Sequence, residues 1–220
     1  GIPVSAELLI LERDLTLLKY NNCRYHISQI SSASSVEIIR ERKNKVNFSC
    51  GVSINNLSLN ENDIGDFKTF LKLSPPLRTE DDRNALVQGL VDKTIDVIVS
   101  DHKPEDEENK RLTFAQAETG ASGIETLLPL SLELYHNGSV NLETIIKALT
   151  SSPAKILKIN KGNLSIGNDA DFCIVDINKP WVVRKEKLIS KSKNTPIEDK
   201  KLQGKVMNTF VNGEELFKAE

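Results

Sequence analysis

The sequence is poor in the side chains that bind metals and cross-link chains. Its 220 residues hold three histidines, His26, His102 and His136, and three cysteines, Cys23, Cys50 and Cys173. The cysteines are widely spaced and form no CxxC pair, which argues against a zinc finger or a disulfide framework and predicts buried thiols in a reducing cytoplasm. No apolar run approaches the roughly 20 residues that a spanning helix needs. The net charge of −2 gives no cationic excess that would attract nucleic acid or an anionic membrane. P-loop, GxGxxG and nucleophile-elbow motifs are all absent. The start, GIPVSAELLILERDL, has no basic head ahead of an apolar stretch and does not read as a signal peptide. It lacks an initiating methionine and runs straight into a helical pattern, so it reads as the middle of a longer polypeptide.

What is present is an alternation of two hydrophobic periods. Leu8, Leu9, Leu11, Leu15 and Leu18 recur at helical spacing over 5–19, with Ser5 as the expected N-cap and Asn21-Asn22 as the break. CRYHISQI (23–30), VNFSCGV (46–52) and IDVIVS (95–100) read as strands, with helices at 35–43 and 79–91 between them. Thr79 followed by Glu80-Asp81-Asp82 is a helix start. IDVIVS is apolar throughout, the mark of a strand buried on both faces. Strand and helix therefore alternate as in an α/β protein with a parallel sheet. Further helices are expected at 123–136, at 141–149 with Asn141 as N-cap, and from Ser152-Pro153. Beyond residue 160 short strands dominate, and Asn212-Gly213 signals a type I′ hairpin. The reading divides the chain into an α/β part, 1–160, and a small β module, 161–220. The lysine-rich stretch 185–205 is expected to be a solvated loop, since no aromatic residues interleave with its cations.

In an α/β barrel, chemistry sits at the C-terminal ends of the strands. The candidate ends here are Gln29–Ser32, Val52–Asn56 and Ser100–Glu105. A strand ending in Asp101-His102 places a carboxylate where it can bind a metal or take a proton, or where it merely caps a turn. His26 lies three residues before Gln29, about 10 Å deeper along the strand and, by strict alternation, on the opposite face. It reads as structural, as does His136 near a helix C-terminus. Asp101 and the amides Gln29, Asn55 and Asn56 make a poor zinc site. The Gly120–Gly123 loop before a helix could hold an anion on its N–H groups, but a plain loop is the preferred reading.

Three segments carry a resemblance. SPPLRTEDDRNALVQGLVDKTIDVIVSDHKP (74–104), GASGIETLLPLSLEL (120–134) and GNLSIGNDADFCIVD (162–176) resemble, in order, the C-terminal half of dihydroorotases of the larger, multidomain-enzyme type. The resemblance implies part of a (β/α)8 barrel of the amidohydrolase kind, followed by a small β-sandwich. It implies a zinc-dependent, reversible cyclisation of N-carbamoyl-aspartate to dihydroorotate in pyrimidine biosynthesis. Asp101 matches the family's catalytic, metal-binding aspartate, while Asn55, Ser74 and Glu105 stand at substrate-binding positions.

The departures from the pattern are pointed. Gln29 replaces a metal-binding histidine, Ile54-Asn55-Asn56-Leu57 stands where PHHL is usual, and Glu105 replaces a substrate-binding histidine with a carboxylate that repels an anionic substrate. The His-x-His strand and the bridging lysine or carboxylate would precede this chain. Three readings follow: a non-catalytic homologue supporting aspartate carbamoyltransferase, part of a working zinc hydrolase whose N-terminal half supplies the missing ligands, or an orphan fragment. The exposed barrel edge is expected to make the chain associate with its own N-terminal half or with another chain, as an oligomer.

Overall fold

Leu11, Leu15 and Leu18 face inward from α1 (Val4–Leu18) and fix that helix against the core. The computed structural model describes residues 2–21 and 23–219; Asn22, half of the expected helix break, lies outside the described residues. Pro3 rather than Ser5 holds the N-cap position of α1, and no side chain caps it. The three expected strands form one parallel sheet in the order β1 (Tyr25–Ile30), β2 (Phe48–Ser53), β3 (Val97–Val99). Helix α2 (Ala33–Arg42) connects β1 to β2; α3 (Ile54–Ser58) and α4 (Glu80–Val91) lie between β2 and β3. The first turn of α4 is held as its sequence suggests. The Thr79 hydroxyl accepts the Asp82 N–H, and the Asp82 carboxylate accepts the Thr79 N–H.

After β3 come the short α5 (Glu107–Lys110), then α6 (Leu127–His136), α7 (Leu142–Leu149) and α8 (Ser151–Leu157). Helix α6 begins later than expected because Gly123–Thr126 forms a turn, with the Thr126 N–H bonded to the Gly123 carbonyl. Asn141 caps α7 by accepting the Thr144 N–H.

The last part of the chain is an antiparallel sheet of β4 (Phe172–Val182), β5 (Lys201–Val211) and β6 (Glu214–Lys218). Asn212 and Gly213 both have positive φ, 52° and 82°, as a type I′ turn requires. Strand β5 lies directly on α6: a Cβ on Gly204 would stand 2.3 Å from Leu132 Cδ1. Where a sandwich was expected, the described residues supply this single three-stranded sheet. Val183, Leu188, Ile197 and Leu202 join the same apolar core as Leu15, Ile39 and Leu130.

Two expectations need correction. The stretch 185–205 is not a solvated loop: Leu188, Asn194, Thr195 and Ile197 are buried and its end forms β5. The exposed Lys187, Lys191 and Lys201 are interleaved with these buried residues, so composition conceals the burial. Of the cysteines only Cys50 is buried, while Cys23 and Cys173 are exposed. Cys23 precedes an edge strand, and Cys173 lies at the start of β4, where Phe172 and Ile174 are also exposed. Among the described residues, no strand pairs with the outer edge of β1 or of β3, and no helix is long and apolar enough to cross a membrane.

Candidate active site

The C-terminal ends of β1, β2 and β3 each contribute one polar side chain to a single cluster. Gln29 Nε2 donates to Asp101 Oδ1 at 2.9 Å, and Ser53 Oγ donates to Asp101 Oδ2 at 3.4 Å. Asp101 follows β3 with φ +48°, a left-handed conformation that asparagine and aspartate tolerate better than most residues. Burial raises the Asp101 pKa above the ordinary aspartate value; the Gln29 and Ser53 donors and the nearby Lys103 charge pull it back down.

Gln29 reaches Asp101 because β1 is bulged. Ile27 pairs with Cys50 and Ile30 with Val52, so Ser28 and Gln29 together oppose Gly51. The extra residue cancels the alternation that would set His26 and Gln29 on opposite faces. His26 lies opposite Ser49, with its Nδ1 2.7 Å from Ser49 Oγ, and Ser49 and Ser53 share a face of β2. His26 and Gln29 therefore point to the same side, contrary to the strict-alternation expectation. Burial lowers the His26 pKa. His136 is held by position: its Nε2 lies 3.0 Å from the Ile177 carbonyl and ties α6 to β4.

The remaining candidates are dispersed. Asn55 is buried on α3, its N–H bonded to Ser53 Oγ at 3.2 Å and its side-chain Nδ2 without a partner among the described residues. Asn56 is also buried; it donates Nδ2 to the Pro76 carbonyl at 3.0 Å, and its Oδ1 has no partner among the described residues. Ser74 is exposed at the rim of the groove, of about 470 Å³, that runs past Gln29 between α1 and the β1 edge. Glu105 is fixed by its backbone, its N–H directed at Asn194 Oδ1 at 3.4 Å and its carbonyl accepting from Ser192 Oγ at 2.6 Å. Three of the four N–H groups of the Gly120–Gly123 loop are already engaged within the protein. The N–H groups of Gly120, Ser122 and Gly123 go to the Lys72 carbonyl, the Asn194 carbonyl and His102 Nδ1. Ser53 was not singled out in the sequence, since a serine at a strand end has no signature of its own.

Residues 5–216 match the family model described as Amidohydrolase family. The chain belongs to the amidohydrolase family. It is 42% identical over 221 residues to a dihydroorotase of Ehrlichia canis and 40% identical over 215 residues to one of Acetivibrio thermocellus. These alignments cover 100% and 97% of this chain but 49% and 50% of those proteins, so the chain spans about half the length of the curated relatives it matches. Among solved structures, the L-hydantoinase (dihydropyrimidinase) from Arthrobacter aurescens superposes with a TM-score of 0.94 at 28% identity, over 98% of this chain and 49% of that one. The α/β fold of this chain thus matches that of about half of the L-hydantoinase.

Zinc, the metal that the dihydroorotase resemblance implies, does not suit the donors present. Gln29 turns its NH2 group, not a lone pair, toward Asp101, and so acts there as a hydrogen-bond donor and not as a ligand. His26 is engaged with Ser49, and His102 Nδ1 accepts from Gly123. Among the described residues no three His, Cys, Asp or Glu side chains converge on one point.

Proposed function

We propose that this chain is a dihydroorotase-like component of pyrimidine biosynthesis that does not turn over substrate itself and serves as a structural partner of aspartate carbamoyltransferase. The observation that carries the non-catalytic reading is the Gln29–Asp101 hydrogen bond. It satisfies the one family carboxylate in this chain with a neutral amide. Glu105 supports the same reading, because a carboxylate at a substrate position repels a dicarboxylate ligand. The role toward aspartate carbamoyltransferase follows the resemblance to non-catalytic dihydroorotase homologues. The competing reading is a zinc hydrolase completed by ligands from another segment.

The proposed partner surface is the open side of the sheet. The free edge of β1 carries unpaired backbone groups, and Leu9, Leu17 and Tyr20 at 71%, 54% and 82% exposure leave an apolar face on or just beyond the adjacent α1. Completion of the (β/α)8 barrel there, and of a β-sandwich over the exposed Phe172 and Ile174, would bury both. Sedimentation velocity tests this. The chain alone is expected to self-associate, and to form a defined complex when mixed with aspartate carbamoyltransferase; a monodisperse monomer in both samples contradicts the proposal.

A further inference from the structure

The largest fully buried side chain in the protein belongs to a lysine. Lys110, on α5, is 1% exposed. Its Nζ donates to three main-chain carbonyls, those of Glu118 at 2.6 Å, Thr69 at 3.2 Å and Lys72 at 3.4 Å. Among the described residues no carboxylate bonds to it; its direct partners are carbonyl oxygens, as a small monovalent cation is met by oxygen ligands, and the charges of Glu105 and Glu118 act on it without a hydrogen bond. Burial lowers its pKa to about 8, which leaves the ammonium form dominant at neutral pH.

The arrangement is reciprocal. Thr69 Oγ1 donates to the Lys110 carbonyl. Lys72 extends the other way, its Nζ donating to the Ala115 and Ala117 carbonyls at 2.9 and 2.7 Å and lying 5.8 Å from the centre of the Phe114 ring. Two lysines on two loops thus each hold the backbone of the other loop. One loop follows β2 and the other follows β3, the strands that end at Ser53 and beside Asp101. The link reaches the cluster through shared backbone: the Lys72 carbonyl also accepts the Gly120 N–H, and Ala121 accepts the Lys103 N–H two residues past Asp101.

We propose that the carbonyls of Thr69, Lys72 and Glu118 form a primary-ammonium site that Lys110 fills in cis, and that filling it fastens the loops after β2 and β3 into one body. The loops themselves hold little regular structure among the described residues, two short 3-10 turns at 61–64 and 69–71 and the four-residue α5. The ammonium therefore supplies order that neither helix nor sheet supplies there. An empty cage strips the Glu118 carbonyl of its donor and removes one of two donors from the Thr69 and Lys72 carbonyls, which also accept the Lys72 and Gly120 N–H groups.

The test removes the ammonium in two ways. Lys110→Met keeps the apolar stem and loses the charge; Lys110→Ala also opens a channel to the cage. Both are expected to lower Tm by about 5–10 °C and to speed amide exchange at 65–73 and 107–120 more than in α4 or α7. Propylammonium chloride at tens of millimolar should restore the melting temperature and exchange protection of Lys110→Ala, where equal sodium chloride does not. It should do nothing for Lys110→Met, whose side chain fills the channel. A Lys110→Met protein as stable and as protected as wild type overturns the proposal. So does a Lys110→Ala protein, purified or refolded in propylammonium, that responds to it no better than to sodium chloride.

Discussion

Alanine at Gly51 is expected to lower stability by about 3 kcal/mol and to separate Gln29 from Asp101. Gly51 has ordinary backbone angles, so conformational freedom is not the reason for the glycine. The reason is space: a Cβ there would lie 2.4 Å from the Ser28 carbonyl oxygen and 3.1 Å from Val97 Cγ2. The first contact is with backbone and cannot be relieved by a rotamer change. It is also the backbone of the bulge, so the strand must give way where Ser28 and Gln29 share one partner. For a chain of this size the loss corresponds to a fall in Tm of about 9 °C. A thermal melt measures the first effect, and the chemical shift of the Gln29 side-chain amide measures the second. A Gly51→Ala protein with wild-type stability and an unshifted amide would show that the bulge does not depend on close approach.

Glu7→Ala is expected to cost a similar amount, about 3 kcal/mol, from a site that looks peripheral. The carboxylate of Glu7, on α1, accepts the Ser31 N–H at 3.0 Å and the hydroxyls of Ser31, Ser32 and Ser35. All three serines are fully buried at the junction of β1 and α2, so removing the acceptor strands several donors at once. A carboxylate also suits the N-terminal end of α2. Arg78, the arginine of the Pro-Pro-Leu-Arg stretch, donates Nε to the same Ser31 hydroxyl at 3.2 Å. The clasp therefore joins α1, the end of β1, α2 and the segment before α4, two residues beyond Gln29. Glu7→Gln keeps the shape and part of the acceptor capacity, and should lose about half as much in urea unfolding. Equal and negligible losses for both variants would make Glu7 an ordinary surface residue.

These two sites also mark the limit of what sequence patterns reveal. The strands read at 23–30, 46–52 and 95–100 appear at 25–30, 48–53 and 97–99, the third legible as a continuous apolar run, and Thr79, Asn141 and Asn212-Gly213 were legible because caps and tight turns have chemical signatures. The bulge had none. Alternation predicts the face of Gln29 only if pairing is regular, and one extra residue reverses the answer. Asp101 stood out through the Asp-His strand end and the family resemblance, while Ser53, its second donor, looked like any polar residue after a strand. The 185–205 stretch failed for a different reason: composition averages the outward lysines with Asn194, whose side chain joins Gly120, Ser122 and Ser192 inside the protein. Long-range hydrogen bonding of that kind depends on the tertiary fold and leaves no local trace.

The central claim is that an amide has taken a metal ligand's place, so that the cluster around Asp101 is satisfied by hydrogen bonds. The zinc content of the protein measures this most directly, after gentle purification with any natural partner segment retained and again after incubation with excess zinc and desalting. The account predicts no bound zinc in either sample. Near-stoichiometric zinc that is lost in Asp101→Ala would contradict it and would restore the hydrolase reading.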